Sequence, residues 1–144
     1  IEKRFQRLES KFPSIIDKGI LQGGFQLLDI VRTKTAKGVD FRDTPFAPYS
    51  ASYLKQLQRE GKPTKVDLFY SGRMLGSLSS RKTGKHKTSL GFTNAQMRQR
   101  ALFNQVLNEP KREFFGFNDR TEKIISKQFN RFVEKELRKF RIWV

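Results

Sequence analysis

The sequence predicts an α+β fold: a long N-terminal helix and a C-terminal helix packed on a small, mainly antiparallel β-sheet. Apolar residues recur at helical spacing near both ends of the chain, and two short β-prone runs flank a turn in its middle. Fourteen phenylalanines indicate a packed core. We expect one domain over 1–144, with a helical segment at 1–35 and an α+β core at 40–144.

The N-terminal segment predicts helix, in one piece or in two. Its apolar stripes comprise Phe5, Leu8 and Phe12, and then Ile15, Ile16, Ile20, Leu27, Leu28 and Val31. Pro13 either separates two helices or occupies the first turn of the second. Gly19 and Gly23 lie four residues apart, which permits close contact with another helix, but the Gly23-Gly24 pair equally permits a bend.

Loop and turn residues follow this segment. Residues 36–48 predict a loop, and Ser50 is a suitable N-cap for a short helix that ends near Gly61. Residues 66–70 form a short β-prone run. A turn is expected at Ser71-Gly72, before residues 73–78.

A β-hairpin is predicted around Thr83-Gly84, with residues 78–81 facing residues 87–92. Its tip, 81–87, is the densest positive cluster in the chain. Asn94 predicts the start of a helix that runs to about residue 107. The apolar residues expected to face inward on that helix are Met97, Ala101, Leu102 and Val106.

The segment Arg112–Asp119 predicts a short strand that leads directly into a helix. Phe115 and Phe117 alternate with Phe114 and Gly116, as in a strand buried on at least one face. Asp119 and Glu122 form a pattern similar to a capping box. The helix beyond carries an apolar stripe at 3.6-residue spacing, made of Ile125, Phe129, Phe132, Val133, Leu137 and Phe140.

Charge is the most unusual compositional feature. Thirty Lys and Arg oppose 14 Asp and Glu, for a net charge of +16. Residues 68–108 contain no acid but seven basic residues: Arg73, Arg81, Lys82, Lys85, Lys87, Arg98 and Arg100. Two interpretations stay open, a solvated face that aids solubility and a surface for phosphate or an acidic partner.

The residues that catalysis requires are sparse. The chain has no cysteine, and its one histidine, His86, lies in a Lys-rich turn where a solvated side chain is expected rather than a general base. The close acidic pairs are Asp40/Asp43, which we expect to cap turns, and Glu134/Glu136, which point in different directions on a helix. We therefore expect a protein that is not an enzyme and that holds no cofactor or metal.

Binding to nucleic acid is the main alternative that the residues suggest. Aromatic and basic residues interleave near Phe92 and Phe129, as stacking platforms require, although these phenylalanines also fit a core. No helix-turn-helix, zinc-finger or RNP pattern is present. The alternative is thus a DNA-binding module without sequence specificity, which contacts phosphate through the hairpin tip 81–87.

Three blocks occur in an order that resembles one known family. They are Phe46-Ala47-Pro48-Tyr49-Ser50-Ala51-Ser52-Tyr53, then Leu68-Phe69-Tyr70-Ser71-Gly72-Arg73-Met74-Leu75-Gly76-Ser77-Leu78, then Pro110-Lys111-Arg112-Glu113-Phe114-Phe115-Gly116-Phe117. Together they are similar to the bacteriophage virion-morphogenesis proteins, which complete the tail or form the head–tail connector (neck). The stretch before the third block departs from the family pattern, because residues 100–105 keep only its Ala and its Gln.

The resemblance, which covers residues 40 to 135, implies a structural virion protein of the head–tail junction. Such a subunit assembles as a homo-oligomeric ring and joins the capsid connector to the tail, with portal, connector or tail proteins as partners. It implies a location in the virion, with the host cytoplasm as the site of assembly. No membrane contact is expected, and a leader before Ile1 is left open.

Two groups of residues follow from these arguments. The candidates for contact with DNA or an acidic partner are Arg81, Lys82, Lys85, Lys87 and Arg112. The family-motif residues with expected structural roles are Pro48, Ser50, Ser71, Gly72, Leu75, Ser77, Phe115 and Gly116.

Overall fold

The computed structural model describes residues 1–68 and 72–141 and has the predicted α+β class. In chain order, the elements are α1 (Glu2–Ala36), α2 (Ala51–Arg59), α3 (Arg73–Gly76), β1 (Leu78–Gly84), β2 (Lys87–Phe92), α4 (Ala95–Leu102), a π-helix (Phe103–Leu107) and α5 (Asp119–Arg138). Strands β1 and β2 form a two-stranded antiparallel sheet.

Helix α1 is one continuous helix, which settles the choice left open at Pro13. Pro13 removes the N–H that the carbonyl of Glu9 would accept. Both residues are exposed, so water can hydrogen-bond to that carbonyl in place of the backbone. The helix also continues through Gly23 and Gly24.

The chain divides into two compact units, each built from several segments. The first unit comprises Ile1–Leu28, Ser79–Leu90 and Asp119–Val144, of which the structure describes residues up to 141. The second comprises Asp29–Leu78 and Gly91–Asn118. Helix α1 and the hairpin contribute residues to both units.

In the first unit, α5 packs closely on α1 at the two predicted glycines. A Cβ placed on Gly19 would lie 2.7 Å from a ring atom of Phe129, and one on Gly23 would lie 3.2 Å from Ile125. The predicted stripe of α5, from Ile125 to Phe140, is half-buried, while most of its other residues are exposed. Of the two alternatives left open for these glycines, close helix contact and a bend, the structure shows the close contact.

In the second unit, the core lies among short helices and loops. Its buried apolar residues are Val31, Phe46, Leu57, Met74, Leu75, Leu78, Met97, Ala101 and Phe114. Within this unit, Arg32 of α1 holds the chain around α3, since its Nε and Nη2 donate to the carbonyls of Leu75 and Leu78 at 3.1 and 3.2 Å.

Two predicted N-caps are confirmed in the second unit. The Ser50 side chain accepts from the backbone N–H of Tyr53 at 3.3 Å, and α2 begins at the next residue. Asn94 Oδ1 accepts from the N–H groups of Gln96 and Met97 at 2.9 and 3.2 Å, ahead of α4. Each cap satisfies helix N–H groups that have no partner within the helix.

The predicted turn role of the loop acids is also confirmed at one position. Asp40 Oδ1 accepts from the backbone N–H groups of Arg42 and Thr44 at 2.8 and 2.9 Å. Asp43 lies at φ +69° and pairs with Lys34 at 2.9 Å. These contacts hold the loop that precedes Phe46.

The strand predicted at Phe114–Phe117 was wrong. Residues 111–118 are all described and form an extended loop without a strand partner. Their backbone groups bond elsewhere: Arg112 N–H donates to the Asn104 carbonyl at 2.7 Å, and Phe41 N–H donates to the Glu113 carbonyl at 3.2 Å. Helix α5 then begins at Asp119, which lies in its first turn with Glu122.

The inward residues predicted after α4 were partly wrong. Met97 and Ala101 are buried, but Leu102 and Val106 are 49% and 50% exposed. For Val106 the reason is the π-helix at Phe103–Leu107, whose wider turn shifts its residues around the helix axis. Leu102 precedes this turn, at the end of α4. Of the β-prone run 66–70, residues 66–68 form no strand and the rest lies outside the described residues, as does Ser71.

Candidate functional site

The basic hairpin in the first unit has two different faces. Residues alternate along each strand, so Ser80, Lys82 and Thr88 share the face that packs on α1. Gly24 makes this contact possible, because a Cβ there would overlap Ser80 Oγ and lie 2.7 Å from Thr88 Cγ2. The opposite face of the hairpin is left to solvent.

The outer face of the hairpin carries basic and hydroxyl side chains. Arg81 and Lys87 are exposed and alternate with Thr83 and Ser89, whose hydroxyl oxygens lie 3.0 Å apart. Lys85 is exposed in the turn between Gly84 and Lys87. Cations beside hydroxyl groups are the side chains that commonly contact phosphate oxygens.

One of the predicted contact residues is already paired. Asp17 of α1 forms an ion pair with Lys82, and its Oδ1 accepts from the backbone N–H of His86 at 2.7 Å. Hydrogen bonds from Lys82, and then from His86, together lower the pKa of Asp17 from 3.8 to about 2. Lys82 therefore anchors the hairpin to α1, which leaves Arg81, Lys85 and Lys87 as the exposed candidates.

His86 departs from the solvated loop histidine that the sequence predicts. Its Nδ1 lies 2.9 Å from Asp17 Oδ1, and its backbone has a φ of +54° in the turn. No feature of the sequence indicates this contact, because Asp17 has the pattern of an ordinary polar residue on α1.

Arg112 is a structural residue, which corrects its assignment as a contact for DNA or an acidic partner. The residue is 8% exposed, and its Nε and Nη2 donate to the carbonyls of Ala47 and Pro48 at 3.1 and 2.8 Å. Its guanidinium carbon lies 4.9 Å from the ring centroid of Tyr49. Backbone carbonyls thus hold the guanidinium of this arginine.

The burial of the aromatic residues next to Arg112 differs from that expected for the predicted strand. Phe114 is the deepest, at 1% exposed, whereas Phe117 is 52% exposed and does not support a sheet. Phe92 lies 6.4 Å from Phe114 and 5.7 Å from Phe115 between ring centroids. These rings form a cluster that holds the loop against the end of β2.

The family-motif residues that the structure describes have structural roles. Gly72 precedes α3 at φ +74°, a conformation that favours glycine, and Leu75 is buried. Ser77 Oγ donates to the Met74 carbonyl at 2.9 Å, and its own carbonyl accepts from Thr93 N–H at 2.8 Å. A Cβ on Gly116 would lie 3.0 Å from the Phe41 ring.

A groove of about 730 Å³ opens beside Arg112 in the second unit. Its aromatic lining comes from Tyr49, Tyr53 and Phe103, and the first two rings meet edge to face at 4.8 Å. Tyr49 Oη accepts from Leu68 N–H at 3.3 Å, and burial raises the pKa of this tyrosine. Arg100 also lines the groove. This groove could not be predicted from the sequence, because its residues come from distant parts of the chain.

No group of three or more His, Asp or Glu side chains in residues 1–68 and 72–141 is arranged to hold a metal ion. Within the same residues, no helix has the length and apolar character needed to cross a membrane. A scan against protein-family models and searches of curated proteins and of solved structures found no match to the chain.

Proposed function

We propose that this protein is a structural, non-enzymatic subunit of a phage head–tail junction, of the neck or tail-completion type. It would assemble as a ring and join the capsid connector to the tail. Portal, connector or tail proteins would be its partners, in the virion and, during assembly, in the host cytoplasm. The proposal comes from the three ordered sequence blocks and from how the chain uses them.

The observation that carries the proposal is the meeting of the first and third blocks. Arg112 of the third block donates to the carbonyls of Ala47 and Pro48 in the first and stacks on Tyr49. The described part of the second block, residue 68 and residues 72–78, belongs to the same compact unit. Segments far apart in sequence thus form one scaffold, which supports interpreting them as parts of a single motif.

Mass measurement and negative-stain electron microscopy test this function. The purified chain is measured alone and after mixing with candidate portal, connector and tail proteins. We expect a closed ring of identical subunits, formed alone or on the partner, because heterologous contacts that close generate rings. A strict monomer that binds none of these proteins would contradict the proposal.

DNA binding without sequence specificity is the second candidate, and the outer face of the hairpin favours it. Arg81, Lys85 and Lys87 are exposed there, next to the Thr83 and Ser89 hydroxyls. Such a face could line a passage for DNA within a ring or act alone. Charge reversal at these three positions, compared with reversal of three other exposed cations, distinguishes DNA binding by the hairpin from attraction due to net charge alone.

A further inference from the structure

The helical run at residues 102–107 has polar groups on its inner side and apolar side chains on its outer side. Gln105 bonds twice to the backbone of Phe115: its Nε2 donates to the carbonyl at 2.9 Å, and its Oε1 accepts from the N–H at 3.1 Å. The carbonyl of Asn104 accepts from Arg112 N–H at 2.7 Å. These bonds commit the polar side of the run to the interior of the second unit.

The outer side of the same run is apolar, and we call it the 102–107 patch. Its members and their exposed fractions are Leu102 at 49%, Phe103 at 42%, Val106 at 50% and Leu107 at 57%. A surface helix of a globular domain ordinarily shows the opposite arrangement, with apolar residues toward the core. A cluster of large apolar side chains on the surface commonly marks a site that another molecule covers.

The patch continues into the aromatic groove, because Phe103 belongs to both. Beside Phe103, the groove is lined by Tyr49, Tyr53 and Arg100. Arg112 also lines it, with its guanidinium bonded to the Ala47 and Pro48 carbonyls. Glu109 is the acidic residue among the described side chains that line it. A ligand that fits both regions needs apolar side chains and, next to them, negative charge.

Charge decides between a second copy of the chain and a different partner. Arg98 precedes Leu102 by four residues and Arg100 precedes Phe103 by three, so each cation shares a helix face with a patch residue. Residues 68–108 contain no acid, and the whole chain carries +16. Two copies that met through this patch would therefore bring like charges together, which disfavours binding, whereas an acidic partner would be attracted.

We propose that the 102–107 patch and its groove bind an acidic amphipathic helix of a partner protein. The apolar face of that helix would cover Leu102, Val106 and Leu107 and place a side chain beside Phe103, as in other helix-in-groove complexes. Its carboxylates would pair with Arg98 and Arg100. This inference deepens the proposed function, on which it rests for the existence of a partner, by stating the partner's chemistry.

A synthetic peptide probes the surface directly. The peptide has about 18 residues, or roughly five turns, with Leu at helical spacing on one face and Glu on the other. Two matched controls are a scrambled peptide of the same composition, which loses the apolar face, and a version with Lys in place of Glu. We expect the first peptide to bind the full chain at least about tenfold more tightly than either control, a difference of about 1.4 kcal/mol.

Variants of the protein assign the binding to the patch. The double substitution Val106→Gln, Leu107→Gln changes only exposed side chains and should weaken binding of the acidic peptide at least about tenfold. Ile124→Gln, at a residue of α5 that is 41% exposed, should leave binding unchanged. Circular dichroism of both variants checks that the fold is retained.

Three results would overturn the inference even if the acidic peptide binds. The first is equal binding of the scrambled peptide, which would indicate charge attraction alone. The second is unchanged binding by the double variant with its fold retained. The third is self-association of the wild-type chain that the double variant abolishes, since a second copy would then cover the patch. A ring that forms without peptide binding would refute this inference alone, whereas peptide binding by a strict monomer that takes none of the virion proteins would refute only the proposed function.

Discussion

Asp17 and His86 are joined at two points although 69 residues separate them in the chain. Asp17 Oδ1 accepts from the backbone N–H of His86 at 2.7 Å and lies 2.9 Å from its Nδ1. The other carboxylate oxygen of Asp17, Oδ2, forms the ion pair with Lys82 Nζ. One acid of α1 thus fixes both the turn of the hairpin and one of its basic residues.

This arrangement predicts a specific response to acid. Hydrogen bonds from Lys82, and then from His86, lower the pKa of Asp17 from 3.8 to about 2. Because the folded-state pKa lies below the unfolded value, the carboxylate stabilises the fold above about pH 4, and this contribution is lost as the pH falls toward 2. Urea unfolding between pH 6 and pH 2 should therefore show a smaller loss of unfolding free energy for Asp17→Asn than for the wild type.

The control for this experiment is Asp29→Asn, at an exposed acid on the same helix. This variant keeps Asp17 and its partners, so it should retain the wild-type slope between pH 4 and pH 2. An identical slope in wild type and Asp17→Asn would show that the contacts of Asp17 do not stabilise the fold in solution.

Gly19→Ala should destabilise the packing of α5 on α1. The new Cβ would meet the Phe129 ring at 2.7 Å and the Phe132 ring at 3.1 Å. Overpacking of this kind costs about 1–3 kcal/mol, while the better helix propensity of Ala returns roughly 1 kcal/mol. Gly76→Ala in α3 is the matched control, because no atom lies within 4 Å of its added Cβ. In urea unfolding, Gly19→Ala should be the less stable of the two by about 1–3 kcal/mol. Equal stabilities would mean that the rings move aside without cost.

Arg112→Lys should reduce stability although it keeps the charge. Lysine cannot reproduce the planar pair of bonds to the Ala47 and Pro48 carbonyls or the stacking on Tyr49. The loss of buried charged hydrogen bonds predicts a decrease in unfolding free energy of roughly 2–4 kcal/mol. Arg98→Lys, at an exposed position, should change it by less than about 0.5 kcal/mol. If Arg112→Lys matches Arg98→Lys in thermal and urea unfolding, Arg112 is not the link between the two blocks.

Charge reversal tests the hairpin as a DNA contact. The triple variant Arg81→Glu, Lys85→Glu, Lys87→Glu should weaken binding to duplex DNA and reduce the slope of log affinity against log salt by about 3, one per lost phosphate contact. A control with the same change in net charge is Lys123→Glu, Lys127→Glu, Arg131→Glu, on the exposed side of α5. Fluorescence anisotropy with a labelled duplex over a salt series measures the affinity and its salt dependence for each variant. A similar loss of affinity in the two variants would show that net charge alone causes the binding and would contradict a binding site on the hairpin.

Local signals in the sequence predicted most of the secondary structure. The caps at Ser50 and Asn94 act within three residues, so the residues that form them are visible in the sequence. The stripe on α5 predicted the half-buried side of that helix, whereas the glycines of α1 left a helix contact and a bend open. The hairpin was predicted from its β-prone runs, although β1 extends to Gly84 and the turn follows it.

The errors lie where distant segments compete for the same backbone or core position. The Phe114–Phe117 segment has a strand-like pattern, but Asn104, Gln105 and Phe41 bond to the backbone in and beside it, and these residues are remote in sequence. Val106 fits the inner stripe of an α-helix, but in the π-helix Gln105 bonds to the backbone of Phe115 and Val106 is 50% exposed. The periodicity of a single segment does not indicate which other segment will bond to its backbone or which of its side chains will face inward.

The fold class, the caps at Ser50 and Asn94, the basic hairpin and the lack of cysteine can all be predicted from the sequence, because each depends on composition or on residues a few positions apart. The pairing of Lys82 with Asp17, the burial of Arg112 and the outward-facing apolar patch beside an aromatic groove could be found only in the folded chain. Those outcomes depend on which chain segment covers which side chain, and burial and hydrogen bonding over long sequence distances set that pattern.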